Sequence, residues 1–127
     1  MKLAYVDTSC LVAIALGESG SASLAARLQR FDRLFSSNLL EAELRSALAR
    51  EGIAEDPGAL TSWITWVYPN RPLTVEFKRA LPAGRLKGAE LWHIACALSL
   101  SLDEKQLSFL TLDRPQREAA AGLGFPT

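Results

Sequence analysis

The chain has 127 residues, 49% of them hydrophobic, and its 14 Lys and Arg balance its 14 Asp and Glu. That length suits one domain with a core of its own, spanning residues 1–127, and that composition excludes a disordered chain. Zero net charge excludes a surface that is basic throughout, so a polyanion site, if present, must be local.

The predicted elements alternate from the start. Residues 3–6 form an apolar run that ends at Asp7, and Thr8 and Ser9 then offer capping hydroxyls to the apolar stretch 10–16, so a buried strand passes into a helix. Asp7 also interrupts what would be the apolar region of a signal peptide, and a cytoplasmic protein is expected. Residues 17–20 break the pattern. Ser21 caps a second helix to about Phe31, residues 34–36 read as a second strand, and Ser37 and Asn38 cap a third helix with Leu40, Leu44, Ala47 and Leu48 at helical spacing. Gly52 stops it. Asp56-Pro57 is a helix start signal, and the spacing predicts a helix from there through Trp63, Trp66 and Val67.

Residues 58–70 carry no charge, yet polar and proline positions interrupt them and they fall well short of the about 20 apolar residues of a membrane span. Residues 73–75 read as a third strand, 76–81 as a short helix and 82–88 as a loop. A further helix runs from about Ala89 to Leu100, residues 107–112 form a last strand ending at Asp113, and 115–123 are helical. Strands alternating with helices imply parallel strands joined by helical crossovers, hence an α/β class with a small central parallel sheet flanked by helices. Cys10 and Cys96 lie among small apolar residues and read as buried free thiols. With one His and two Cys the chain cannot assemble a tetrahedral Cys/His zinc site.

In an open parallel sheet, ligands bind beyond the carboxyl ends of the strands. Asp7 closes the first predicted strand and Asp113 the last, although an Asp in that position also serves as an ordinary helix cap. Glu43 falls in the second turn of the third helix, at the margin of its apolar stripe, with Glu41 as the competing candidate on another face. Glu90 opens the helix that carries His93, where an acid also complements the macrodipole. Several carboxylates at one sheet edge repel one another unless a cation compensates them. Oxygen ligands alone select Mg2+ or Mn2+, and such a centre supports metal-assisted phosphodiester hydrolysis. A metal-free ribonuclease using two histidines is excluded by the single His93. A phosphatase with an Asp nucleophile would need Asp-x-Asp after the first strand, and position 9 is Ser.

These residues resemble the PIN-domain ribonucleases, and within them the VapC toxins of toxin–antitoxin systems. The motifs are Tyr5-Val6-Asp7-Thr8-Ser9; the run from Ser37 through Glu43-Leu44 to Leu48; Glu90-Leu91-Trp92-His93 with the small residues after it; and Thr111-Leu112-Asp113 followed by an Ala-rich helix. The resemblance spans residues 3–125. It implies metal ligands at Asp7, Glu43, Glu90 and Asp113, leaves Glu41 on the surface, and implies Mg2+ or Mn2+ dependence, endonucleolytic cleavage of RNA, a homodimer and inhibition by a cognate antitoxin. Glu90 stands where the family generally has Asp, which leaves a second reading: a catalytically weakened PIN-like RNA-binding module held by an antitoxin.

Around these acids, Ser9 and Thr111 are placed to orient carboxylates or bound waters. His93 reads as a packed, hydrogen-bonded histidine, with a catalytic acid as the alternative. Trp63, Trp66 and Trp92 are candidates for stacking on bases; Trp63 and Trp66, one helical turn apart beside Ile64 and Val67, read instead as packing in the core or in a dimer or antitoxin groove, and Asp103 reads as solvent-facing. Residues 69–89 hold Arg71, Lys78, Arg79, Arg85 and Lys87 against Glu76 alone, and Arg114 and Arg117 lie near Asp113. This is the local positive charge that an RNA backbone requires, and Arg79, Arg85, Lys87 and Arg114 are the candidate contacts.

Overall fold

The computed structural model describes residues 1–100 and 103–127. Four parallel strands, β1 (Leu3–Val6), β2 (Arg33–Ser37), β3 (Ile64–Val67) and β4 (Leu107–Leu110), lie in the order β3-β2-β1-β4. Among the described residues seven α-helices flank them: α1 (Thr8–Ala15), α2 (Ser21–Leu28), α3 (Leu39–Arg50), α4 (Gly58–Thr61), α5 (Thr74–Ala80), α6 (Gly88–Ser99) and α7 (Arg114–Gly122). None of the described helices is long and apolar enough to cross a membrane.

Strand periodicity divides the core in two. From β1, Ala4 and Val6 join Leu11, Leu28, Leu34, Leu40 and Leu44 beneath α1–α3. Tyr5 points the other way, to Ile94, Phe109, Ala119 and Phe125 beneath α5–α7. The central strand is therefore buried on both faces, which is why its sequence reads as an apolar run and not an alternation. Cys10 and Cys96 are buried free thiols, one in each core. Burial pushes the Cys96 thiol up to about 12 and the Cys10 thiol higher still, so neither is a nucleophile at neutral pH.

Two expected elements are corrected. The helix through Trp63, Trp66 and Val67 does not form: α4 is a single turn, and Ile64–Val67 is strand β3, pairing Leu34↔Ile64 through Ser37↔Val67. The start signal is displaced by one residue: Pro57 takes the cap position of α4, and Asp56 Oδ1 accepts the Gly58 N–H at 2.8 Å from outside it. The β-branched and aromatic residues Ile64, Thr65, Trp66 and Val67 then favour the pleated edge position over a second helical turn. The expected strand at 73–75 is also absent. Leu73 is the cap residue of α5, and its buried side chain fills the core beside Ala80 and Phe77. Trp63 and Trp66 pack against the α1–α3 core.

Chain direction explains where a ligand can enter. From β1 the chain moves outward to β2 and β3, then returns to the far side of β1 as β4. Strand order therefore reverses between β1 and β4, and their carboxyl ends flank the crevice that this topology leaves open. The ladder between them runs Leu3↔Leu107 to Val6↔Leu110, and the Asp7 N–H extends it by donating to the Leu110 carbonyl at 3.1 Å. Asp7 and Thr111 are thus the first residues past the end of the two strands.

Candidate active site

Asp7 occupies the cap position of α1 but its side chain makes no capping hydrogen bond. It is only 4% exposed. Its carboxylate accepts the Ser9 hydroxyl at 2.6 Å on one oxygen and the Thr111 hydroxyl on the other. Burial raises its proton affinity above the ordinary aspartate range, against the pull of those two hydroxyls and of the Cys10 backbone N–H. The two hydroxyls, more than the start of α1, therefore hold this side chain. Both hydroxyls are held in turn: Ser9 Oγ accepts the Leu112 N–H at 2.9 Å, and Thr111 Oγ1 accepts the Asp113 N–H at 3.0 Å. The Ser9 and Thr111 hydroxyls thus fix the direction of both Asp7 oxygens.

Asp113 does cap its helix, accepting the Gln116 N–H at 2.9 Å on Oδ2. Glu90 closes a capping box on α6 by accepting the Lys87 N–H at 3.3 Å. The starts of these two helices are tied together, because the buried Gln116 donates its side-chain amide to the Glu90 carbonyl at 3.0 Å. Glu90 and Asp113 line one cleft of about 330 Å³ with Arg85, Leu86, Lys87 and Pro115. Two of the four candidate RNA contacts, Arg85 and Lys87, thus face the acids and form no ion pair among the described residues. The other two are engaged elsewhere, Arg79 with Glu104 and Arg114 with Glu118. Arg71 is held by Glu76. Arg117 donates to the Thr111 carbonyl at 2.8 Å.

Glu43 is half-buried in α3. Its Oε1 accepts the Thr8 hydroxyl at 2.7 Å and lies 3.2 Å from His93 Nε2. The hydrogen bond from His93, with that from Thr8, lowers its carboxyl below the usual glutamate range against the effect of burial. Glu41 takes the surface role, paired with Arg45 at 2.9 Å. His93 is buried and bonded through both ring nitrogens, with Tyr5 Oη 2.8 Å from Nδ1. Trp92 donates to Ser37 Oγ at 3.1 Å and stands beside Asn38, Leu39 and Ala42 in a shallow apolar depression.

The four acids gather at the carboxyl edge in two sets: Asp7, Glu90 and Asp113 around the ends of β1 and β4, connected through Thr111 and Gln116, and Glu43 with Thr8 and His93 beside them. Among the described residues, no three Asp, Glu, His or Cys side chains stand close enough to enclose a metal ion. The chemistry of the donors still fits a hard divalent cation. All are oxygens, and one oxygen each of Glu43, Glu90 and Asp113 has no partner among the described residues. Asp7, for its part, holds a buried charge that two hydroxyls chiefly compensate.

Sequence reasoning passed over Tyr5, Thr8, Gln116 and the Ser37–Trp92 contact. A signal existed for Tyr5, because a tyrosine inside a fully apolar strand must bring its hydroxyl to a partner.

The PIN-domain family model matches residues 4–122, from within β1 to the end of α7. A search of the curated proteins finds no match.

Proposed function

The chain belongs to the PIN-domain family, and from that premise we propose that it is a Mg2+- or Mn2+-dependent endoribonuclease, the toxin of a VapC-type toxin–antitoxin pair acting in the cytoplasm. The observation that carries this reading is Asp7: an aspartate buried at the strand-order reversal, excused from capping, and oriented by two hydroxyls that are themselves held by backbone amides. A side chain held that way at an energetic cost serves a ligand and not the fold.

Asp7, Glu43, Glu90 and Asp113 are the residues that would hold the cation. When bound there, a divalent ion neutralises charge on the scissile phosphate and activates the attacking water. Arg85 and Lys87 bring the RNA backbone into the cleft beside Glu90 and Asp113, supplying positioning without base selection. Ser9 and Thr111 keep both Asp7 oxygens in fixed directions. The zero net charge of the chain is then the sum of an acidic edge and a basic rim.

The test is cleavage of a structured RNA with Mg2+ or Mn2+ present or chelated, for the wild type, Asp7→Asn and Glu90→Asp. Cleavage that survives chelation, or full activity in Asp7→Asn, would sink the mechanism. The second reading, a weakened RNA-binding module, is favoured by one observation: the longer Glu90 side chain reaches back to its own helix start. A large rise in rate for Glu90→Asp would support it. The homodimer and the cognate antitoxin belong to the main reading, and a monomeric molar mass at micromolar concentration would remove the dimer from it.

A further inference from the structure

We propose that Tyr5 and His93 are positioning residues that orient Glu43 through a one-directional hydrogen-bond relay; the role of Glu43 in that statement rests on the nuclease reading, while the relay itself does not. Tyr5 is fully buried in β1 and stacked on Phe109, with ring centroids 5.3 Å apart and planes 8° from parallel, so its hydroxyl has one trajectory. That hydroxyl accepts the Ser37 backbone N–H at 3.1 Å and lies 2.8 Å from His93 Nδ1.

The proton positions follow from counting donors. Ser37 N–H occupies a lone pair of the phenol oxygen, and the closest side-chain hydrogen bond of that oxygen is the one to Nδ1, ahead of the nearby Ser36 hydroxyl, which makes no bond of its own among the described residues. At the other side of the ring Nε2 faces a carboxylate oxygen, so the ring hydrogen sits on Nε2 and the phenol proton points to Nδ1. Nε2 lies 3.2 Å from both Glu43 Oε1 and Thr8 Oγ1, and Thr8 donates to the same Oε1 at 2.7 Å. Two donors from two elements thus converge on one oxygen of Glu43 and leave Oε2 without a partner among the described residues. The opposite tautomer would set the bare Nε2 against a carboxylate oxygen and turn the phenol proton away from the ring, which is costly in a buried network.

Packing alone does not account for these residues. A Phe at position 5 would keep the stack on Phe109, and an apolar residue at 93 would fill the same core without a buried polar network. What the polar atoms add is the aim of one carboxylate. The relay runs from the end of β2 through β1 and α6 to α3, so the elements that converge on the carboxyl edge are locked to one another at the acid they share.

His93 is the only histidine in the chain, so its ring nitrogens give a single set of 15N signals. In metal-free wild type, Nε2 is expected to be protonated and Nδ1 bare, and Tyr5→Phe is expected to mix the tautomers while the protein still unfolds cooperatively. In parallel, Mn2+ titration is expected to show about tenfold weaker binding for Tyr5→Phe and for His93→Leu. His93→Gln, which restores a donor toward Glu43, should recover most of that loss. A proton on Nδ1 in the wild type, or Mn2+ affinity in Tyr5→Phe equal to wild type, would overturn the relay. If wild type binds no Mn2+, the metal-dependent reading falls, and the tautomer of His93 and its response to Tyr5→Phe still decide the relay.

Discussion

Asp7→Asn should make the metal-free protein more stable while abolishing its activity. A carboxylate taken out of water loses several kcal/mol of solvation, and the Ser9 and Thr111 hydroxyls each return about 1.5–3 kcal/mol as charge-assisted bonds. The raised proton affinity of Asp7 says that the balance is unfavourable to the charged form. Asparagine keeps the shape and drops the charge. Its carbonyl accepts from Ser9, and its amide donates to Thr111 Oγ1, whose proton can turn to Gln116 Oε1, 3.3 Å away. No polar group is left stranded, so the expected gain is about 1–3 kcal/mol at neutral pH, on the order of 3–10 °C in melting temperature for a domain of this size. The sign in pH follows from linkage. With its pKa raised in the folded state, Asp7 weakens the fold as pH rises through the unfolded value of about 3.9 and above, so the advantage of Asn is small near pH 4 and complete at neutral pH. Chelated protein unfolded by urea at pH 4 and pH 7.5 measures both. A variant less stable than wild type at pH 7.5 would refute the argument, because the buried charge would then be contributing to the fold.

Three further outcomes are expected. Arg71 donates to both oxygens of Glu76, at 2.9 and 2.6 Å, and holds that carboxyl at about 2; the pair therefore supports the fold above the unfolded value of about 4.3 and loses that support as pH falls toward 2. Glu76→Gln should remove this part of the acid-unfolding profile, and an unchanged profile between pH 4.5 and 2 would contradict it. Leu11→Ala, at a fully buried α1 position beneath the acidic edge, should cost about 2–5 kcal/mol in urea unfolding with no change in slope, and a loss under 1 kcal/mol would mean the core closes over the gap. Arg85→Ala and Lys87→Ala should each make the salt dependence of RNA binding shallower by about one unit of log–log slope and leave the melting temperature within about 2 °C, whereas unaltered salt dependence would place the RNA elsewhere.

The class and the sheet were legible because the residues that specify them are local. An apolar run closed by an acid and followed by hydroxyls can hardly be anything but a buried strand turning into a helix, and this pattern marked β1 and β4 correctly to within two residues. Residues 57–67 misled for a physical reason: a carboxylate at Asp56 that does accept the Gly58 N–H was followed by tryptophans at positions 63 and 66, whose spacing suits a helix, while the β-branched neighbours decided the outcome through pairing with β2. Leu73 misled differently, since a short apolar run meets the core equally well from a helix cap. At the site, sequence could place Asp7, Glu43, Glu90 and Asp113 near one edge but not apportion their present bonds. That Asp113 caps and Asp7 does not depends on Thr111, which lies 104 positions from Asp7. The role of Thr8 was hidden for the same reason, because its acceptor is carried by another helix.

The two margins of the sheet are not equivalent. Along β4, the Phe109 N–H is already taken by the Pro126 carbonyl at 2.8 Å, with Phe125 buried beside it, whereas β3 has β2 on one side and no strand on the other among the described residues. The β4 border is thus partly covered by residues 125–126, and the β3 border is not. An added strand from another molecule would find its unpaired backbone at β3, so that border is where edge-to-edge association of this sheet begins.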